Sequence, residues 1–134
     1  MPKFSHNTLS ENAEDYLERI QELIERQGFA RVSDLAEELG LGKASVSSMI
    51  QRLARQGWVN NQRYRGFTLT KEGVARAEAI RERHAVLTDF FKILGITSKI
   101  AQKDIEGIEH HLSHETVIKL KKFIARLQKK SRPK

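Results

Sequence analysis

The spacing of apolar side chains changes abruptly near residue 58, and this change constrains the fold more than any other feature. Before it, apolar residues recur every three or four positions in three segments that end at Gly28, Gly40 and Gly57. This pattern predicts three helices separated by tight turns. After it, Phe67 and Leu69 alternate with polar residues, which predicts a small β-hairpin. Three helices followed by a hairpin are the winged helix-turn-helix arrangement of DNA-binding domains.

Capping residues give approximate helix bounds in the first half of the chain. Thr8 and Glu11 form a capping box for the first helix. Ser33 is expected to cap a short second helix, and the third helix is expected over roughly 44–56.

The second half of the chain is predicted to be helical throughout. Thr70 caps a long helix over about 71–94, Ser98 begins a helix that reaches about Leu112, and Ser113 caps the last helix. The predicted inward stripe of the long helix is Val74, Ala77, Ile80, His84, Leu87, Phe91 and Leu94.

Composition narrows the class of protein. A chain of 134 residues with 39% apolar residues makes one compact unit or two very small ones, and dimerisation would bury more apolar area. The absence of cysteine excludes disulfides and zinc–thiolate sites. The sequence contains no run of 18 apolar residues, so no membrane span is predicted. The N-terminus lacks the apolar core of a secretory signal, so we expect a cytoplasmic protein.

The charge of +7 is unevenly distributed. No acidic residue occurs between Glu38 and Glu72, and the segment from Lys119 to Lys134 is also purely basic. An acid-free basic segment in a winged helix predicts binding to double-stranded DNA, whereas the basic tail alone is more typical of a solvated surface. The expected DNA contacts are Lys43, Ser45, Ser47, Ser48, Gln51 and Arg52 on the third helix, and Arg63, Tyr64 and Arg65 at the hairpin tip.

The stretch EGIEHHLSHE, residues 106–115, concentrates potential metal ligands. On an α-helix, Glu106, Glu109 and His110 fall within about 100° of one another. His84 lies in an apolar stripe, where a lone histidine is usually a core residue. In the first helix Asp15 and Glu18 share a face, and alone they would be a solvated acidic flank.

Taken together, the six residues supply four carboxylates and two imidazoles, and four carboxylates balance the charge of two divalent ions. Oxygen-rich ligands without thiolate favour Mn²⁺ or Fe²⁺.

Five segments resemble the diphtheria-toxin-repressor family of metal-dependent repressors, specifically its manganese transport regulators. They are EDYLERI (14–20), ARVSDLAEELG (30–40), YRGFTLTKEG (64–73), RHAVLTDFF (83–91) and EGIEHHLS (106–113). The resemblance implies that the six residues named above are the metal ligands. Iron-sensing members have methionine in place of Asp15 and cysteine in place of Glu106, so the manganese branch is implied.

The resemblance also implies a mainly α protein with two domains. Residues 1–71 would form the winged helix-turn-helix DNA-binding domain, and 72–134 a helical metal-binding and dimerisation domain with a basic tail. The departures from the family pattern include Gln21, which stands where an aromatic is usual, and Thr88, which replaces an acid common in relatives. The expected dimer interface is the apolar stripe Val117, Leu120, Ile124 and Leu127.

The resulting hypothesis is a manganese-activated repressor that binds a palindromic operator as a metal-loaded homodimer, with about two Mn²⁺ per subunit, and controls metal-uptake genes. Metal would fix the spacing of the two recognition helices at roughly 34 Å, one DNA turn. One alternative is a winged-helix regulator that responds to Fe²⁺ or another signal. A di-metal carboxylate enzyme is disfavoured because such sites use Glu-x-x-His pairs, which the 106–110 region lacks, so no enzyme activity is expected.

Overall fold

The structure is a computed structural model that describes residues 11–62 and 66–131. The chain forms two compact units, an N-terminal unit up to Ala79 and a C-terminal unit from Ile80. None of the helices within the described ranges is long and apolar enough to cross a membrane.

The N-terminal unit contains three helices and a hairpin in the predicted order. The strands pair antiparallel, with Val59 opposite Leu69 and Gln62 opposite Gly66. The predicted winged helix-turn-helix arrangement is therefore confirmed. The elements are α1 (Glu11–Gln27), α2 (Val32–Leu39), α3 (Lys43–Arg55), β1 (Val59–Gln62), β2 (Gly66–Leu69) and the first part of α4 (Lys71–Ile93).

The hairpin is anchored to the helices by a backbone bridge that the sequence pattern did not predict. Phe67 N–H donates to the Ala30 carbonyl at 2.7 Å, and Ala30 N–H donates to the Phe67 carbonyl at 3.1 Å. Gly66, at φ 84°, lies so close that a Cβ there would be 2.5 Å from the Ala30 carbonyl oxygen. Only glycine fits this approach without displacing backbone.

Thr70 caps α4, as predicted. Its Oγ1 accepts from Gly73 N–H at 3.0 Å and donates to the Gly57 carbonyl at 2.7 Å. A Cβ on Gly73 would lie 2.1 Å from the Trp58 carbonyl oxygen. The start of α4 is thus held against the turn that follows α3.

The prediction that Ser33 caps α2 was wrong. The helix begins at Val32, its N-cap residue is Arg31, and no side chain caps it. Instead, the Gln27 amide nitrogen reaches both the Phe29 carbonyl, at 3.1 Å, and the Asp34 carboxylate, at 2.8 Å. The capping box predicted for α1 involves Thr8, which lies outside the described residues.

One continuous apolar core fills the N-terminal unit. All three helices, both strands and the first part of α4 contribute side chains to it, so each element is held by the others. Its fully buried members include Leu17, Ile20, Leu35, Val46, Ile50, Leu53, Phe67 and Ala77.

The C-terminal unit is helical and is built around two small apolar clusters. Val86, Val117 and Ile124 form one, and Leu87, Ala101 and Ile105 form the other. The half-buried Leu112 and Leu120 pack against both clusters. The elements are the rest of α4, α5 (Ser98–Ile108), a 3₁₀ turn (Glu109–His111) and α6 (His114–Ser131).

Ser113 caps α6 as predicted, since its Oγ accepts from Thr116 N–H at 3.1 Å. The predicted inward stripe of α4 was wrong at two positions, because Val74 is 38% and Leu94 is 57% exposed. The helix from Ser98 ends at Ile108, four residues earlier than expected.

Candidate functional site

A buried carboxylate and an imidazole meet in the C-terminal unit. His84, on α4, places Nδ1 2.8 Å from Glu109 Oε2, in the 3₁₀ turn. Glu109 is only 3% exposed, whereas the His84 side chain is 33% exposed. A carboxylate is rarely buried without a positive or hydrogen-bonding partner. The geometry therefore favours a site in which these two side chains act together.

The other side of the His84 ring contacts an amide. His84 Nε2 lies 3.0 Å from Gln102 Oε1, on α5. Gln102 Nε2 lies 3.5 Å from Thr88 Oγ1, and that hydroxyl donates to the His84 carbonyl at 2.9 Å. Gln102 was not singled out from the sequence, although the histidine at position 84 and the departure at Thr88 both pointed to this region.

Glu106, Glu109 and His110 do not lie on one α-helix, as the prediction of a shared face assumed. The α-helix gives way to a 3₁₀ turn after Ile108, and a 3₁₀ turn advances about 120° per residue instead of 100°. Glu106 is exposed, Glu109 is buried and His110 is half-buried. In the part of each unit that the structure describes, no three histidine or acidic side chains are grouped closely enough to hold a metal ion.

The remaining two candidate ligands lie on α1, in the N-terminal unit. Asp15 is exposed and Glu18 is half-buried. Desolvation lowers the pKa of Arg19, but its hydrogen bond with Glu22 and the negative charges of Glu22, Glu18 and Asp15 outweigh it and raise that pKa. Asp15, Glu18 and Glu22 thus lie close enough to Arg19 for their negative charges to act on it.

The donor chemistry of the six residues fits a hard divalent ion. Carboxylate oxygens and imidazole nitrogens suit Mn²⁺ and Fe²⁺, and no thiolate is present anywhere in the sequence. The buried Glu109 carboxylate beside His84 is the structural observation that supports this fit.

The third helix presents a polar face and an apolar face. Val46, Ile50 and Leu53 are buried, and these residues face the core as predicted. Five of the six candidate DNA contacts on the opposite face are exposed, and the sixth, Ser47, is half-buried; the exposed ones are Lys43, Ser45, Ser48, Gln51 and Arg52. Arg63, Tyr64 and Arg65, expected at the hairpin tip, lie outside the described residues.

A cavity of about 520 Å³ in the N-terminal unit is lined both by a candidate metal ligand and by candidate DNA contacts. Asp15 from α1 lines it together with Ser45, Ser48 and Arg52 from α3. Tyr16 also lines this cavity, and burial raises the pKa of its hydroxyl group. A metal-ligand candidate and three DNA-contact candidates thus border one space.

Two of the residues expected at the dimer interface are used inside the protomer. Val117 is 3% and Ile124 is 4% exposed, because both pack in the cluster with Val86. They have almost no surface to offer a partner, whereas Leu120 and Leu127 remain half-buried. The large apolar side chains that the C-terminal unit does expose are Ile93, Leu94, Ile100, Ile108 and Phe123.

Two family models match nearly the whole chain. The N-terminal DNA binding domain of iron dependent repressors matches residues 8–67, and the metal binding and dimerisation domain of iron dependent repressors matches residues 70–133. The HTH-type transcriptional regulator MntR of Shouchella clausii is 46% identical over 104 residues, which cover 78% of this chain and 73% of that protein. The chain belongs to the iron-dependent repressor family.

Other relatives agree with this assignment. The MntR regulator of Listeria welshimeri is 44% identical over 104 residues, covering 78% of this chain and 73% of that protein. The solved structure of the manganese regulator SloR is 30% identical and superposes with a TM-score of 0.74. That match covers 87% of this chain and 55% of the SloR chain, so this chain spans about half the length of SloR.

These matches confirm the predicted family and the predicted role as a transcriptional repressor. The chain has a DNA-binding domain and a domain for metal binding and dimerisation. Its partners are therefore DNA and a second copy of itself, and it binds a divalent metal.

Proposed function

We propose that this repressor is activated by Mn²⁺, binds a palindromic operator as a metal-loaded homodimer and controls genes for metal-ion uptake. DNA binding is assigned to residues 1–71, and metal binding and dimerisation to residues 72–134. The observation that carries the proposal is the buried Glu109 carboxylate 2.8 Å from His84. The similarity to SloR, a manganese regulator, supports the choice of ion.

Six side chains would hold the metal: Asp15, Glu18, His84, Glu106, Glu109 and His110. When bound, two divalent ions would supply four positive charges, which these four carboxylates neutralise. The residues themselves define the selectivity, because four hard oxygen donors and two imidazoles favour Mn²⁺ over metals that prefer sulfur. Fe²⁺ has similar ligand preferences and is the alternative activator.

The DNA-binding surface would consist of the exposed face of α3 and the hairpin tip. Serine and glutamine side chains such as Ser48 and Gln51 can hydrogen-bond to base edges, and Arg52 can bind a phosphate. The tip residues Arg63 and Arg65 would reach the backbone or the minor groove. Because the sequence has no carboxylate between Glu38 and Glu72, no negative side chain in this segment would repel the DNA phosphates.

The dimer would form through the C-terminal unit. Leu120 and Leu127 keep part of the expected stripe available, and Phe123, on the same helix, is 42% exposed. Val117 and Ile124 would support this surface from inside the protomer. An obligate interface needs exposed apolar side chains of this kind.

The proposal assigns no catalytic step to the chain. The candidate ligands would bind an effector ion, and the result of binding would be a change in DNA affinity. A repressor must be in the same compartment as its operator DNA. We therefore propose a cytoplasmic location.

The test is selection of duplexes from a random-sequence library of double-stranded DNA by the full chain. Parallel selections contain Mn²⁺, Fe²⁺, Zn²⁺ or a chelator. The expected result is enrichment of one inverted-repeat sequence with Mn²⁺ and none with chelator. Equal enrichment with the chelator would contradict metal activation, and strong enrichment with Fe²⁺ alone would select the alternative.

The ligand set is tested by calorimetric titration with Mn²⁺. His110→Ala should weaken binding at least tenfold, whereas the matched neighbour variant His111→Ala should not, because His111 is exposed and is not among the six. Equal losses in the two variants would contradict the assignment of His110.

A further inference from the structure

The hydrogen bonds around His84 determine which of its nitrogens is available to a cation. Nδ1 lies 2.8 Å from Glu109 Oε2, and Nε2 lies 3.0 Å from Gln102 Oε1. Both ring nitrogens therefore face oxygen atoms. An oxygen acceptor beside a ring nitrogen requires a hydrogen between them, because two lone pairs at this distance repel.

The orientation of the Gln102 amide determines whether His84 Nε2 carries a hydrogen. Amide oxygen and nitrogen are distinguished by their hydrogen-bond partners. The Thr88 hydroxyl uses its only hydrogen to donate to the His84 carbonyl at 2.9 Å, so towards Gln102 it can only accept. The group facing Thr88, at 3.5 Å, is therefore the Gln102 NH₂, and the group facing His84 is the amide oxygen.

The consequence is a fixed hydrogen on His84 Nε2. The ring donates Nε2–H to Gln102 Oε1, which leaves Nδ1 as the nitrogen whose hydrogen, shared with Glu109, a cation can replace. A histidine that binds a metal commonly donates its other ring N–H to a neighbouring acceptor, which fixes the ring orientation and raises the basicity of the ligating nitrogen.

We propose that Gln102, oriented by Thr88, is a positioning residue that holds the hydrogen of His84 on Nε2 and so directs Nδ1, together with Glu109, toward a divalent cation. The proposal rests on the proposed function for the identity of that cation. Neither Gln102 nor Thr88 is itself assigned as a ligand. The pair thus tunes the metal affinity of this chain through a neutral amide and a hydroxyl.

The first readout uses metal-free protein labelled with ¹⁵N-histidine. The His84 Nε2–H should give an exchange-protected signal in a ¹H–¹⁵N spectrum, identified by its loss in His84→Gln. Gln102→Met keeps the side-chain length but removes the acceptor, so the signal should disappear. Gln102→Glu restores an acceptor oxygen and should restore the signal.

The second readout is calorimetric titration with Mn²⁺. Gln102→Met should weaken binding about tenfold, the lower end of the usual range for such outer partners, and Gln102→Glu should stay within about threefold of the parent. In a His84→Ala background, Gln102→Met should add no further loss, since it acts through His84. Gln128→Met, an exposed glutamine on α6, is the matched control and should leave binding unchanged.

Thr88 is tested with an isosteric pair. Thr88→Val removes the hydroxyl that orients the amide and should weaken binding by a smaller factor than Gln102→Met, whereas Thr88→Ser should be neutral. Unfolding in urea checks that the variants remain folded, so that a loss of affinity is not a loss of structure.

The outcomes separate this inference from the proposed function. A parent protein that binds no Mn²⁺ would overturn the proposed function, and the role of Gln102 toward the ion would fail with it. A parent that binds Mn²⁺ while Gln102→Met keeps both the Nε2–H signal and full affinity would overturn only this inference. Lost affinity with an unchanged Nε2–H signal would also overturn it.

Discussion

The two units differ in how completely they bury their own apolar side chains. The N-terminal unit has a single core to which every element contributes, and among its described large apolar residues only Leu41 and Val74 are exposed. The C-terminal unit has two clusters of three buried residues each and exposes five large apolar side chains, including Leu94 and Phe123. The exposed apolar side chains of the C-terminal unit fit its match to a dimerisation domain.

The units also differ in where they place negative charge. The proposed DNA face of the N-terminal unit, α3 and the hairpin, contains no carboxylate. The C-terminal unit buries the Glu109 carboxylate beside His84, whereas the buried carboxylate of the N-terminal unit, Glu14, lies beside the guanidinium of Arg76. Burying a carboxylate costs free energy unless a cation or hydrogen bonds compensate. The comparison assigns the anionic partner to α3 and the hairpin of the N-terminal unit, whereas four of the six proposed metal ligands, including Glu109 and His84, lie in the C-terminal unit.

The largest effect is expected from matched deletions in the two cores. Leu53→Ala, in the continuous core, should lower the free energy of unfolding by about 4–5 kcal/mol, and Leu87→Ala, in a small cluster that can relax, by about 2–3 kcal/mol. Urea unfolding, followed by circular dichroism and by the fluorescence of the single tryptophan, Trp58, measures both. A larger cost for Leu87→Ala would reverse the comparison.

The dimer is tested by placing a charge on each unit at a similarly exposed apolar position. Phe123→Asp, in the C-terminal unit, should weaken dimerisation at least tenfold, because an aspartate would have to be desolvated at the interface. Leu41→Asp, in the N-terminal unit, should leave the dimer intact. Sedimentation at micromolar concentration distinguishes the two, and unchanged dimers in both variants would remove Phe123 from the interface.

Replacing two helical glycines by alanine should change stability by a smaller amount, with opposite signs in the two units. Gly73→Ala should destabilise the N-terminal unit by roughly 1–3 kcal/mol, because its Cβ would meet the Trp58 carbonyl oxygen at 2.1 Å. Gly107→Ala should stabilise the metal-free C-terminal unit by about 0.5–1 kcal/mol, because nothing lies within 4 Å of a Cβ there. Urea unfolding of both variants tests this pair, and destabilisation by Gly107→Ala would contradict an open helix at that position.

The smallest effect concerns phosphate contacts. Arg52→Ala should reduce the salt dependence of DNA binding by about one unit of slope, since each neutralised phosphate releases roughly one counterion. Lys103→Ala changes an exposed lysine of the C-terminal unit and should leave the slope unchanged. An unaltered slope for Arg52→Ala would place Arg52 outside the interface.

The N-terminal unit was largely predictable from sequence because its fold depends on local patterns. The periodicity around Val46, Ile50 and Leu53 indicated the buried face of α3, and Thr70 marked a helix start that the structure confirms. Spacing cannot reveal the bridge between Ala30 and Phe67, because the two residues are distant in sequence.

The candidate site was predictable in its chemistry but not in its local geometry. Residue types indicated a carboxylate and imidazole site, yet α5 ends before Glu109, which is buried in a 3₁₀ turn, whereas Glu106 is exposed on α5. Polar partners in the interior were also missed. Glu14 is 3% exposed and lies 3.7 Å from Arg76, and Gln21 is buried with an Oε1 that has no hydrogen-bond partner among the described residues. Such contacts depend on packing between elements, which periodicity does not encode.

The central claim is that a carboxylate buried in the C-terminal unit controls DNA binding through Mn²⁺. Titration of Mn²⁺ into the full chain and its selected operator, with DNA binding as the readout, tests it directly. The parent should gain DNA affinity as Mn²⁺ rises, Glu109→Gln should require at least tenfold more Mn²⁺, and Glu115→Gln, an exposed acid on α6, should match the parent. DNA binding by the parent that does not depend on Mn²⁺, or a Glu109→Gln curve that overlays the parent curve, would contradict the account.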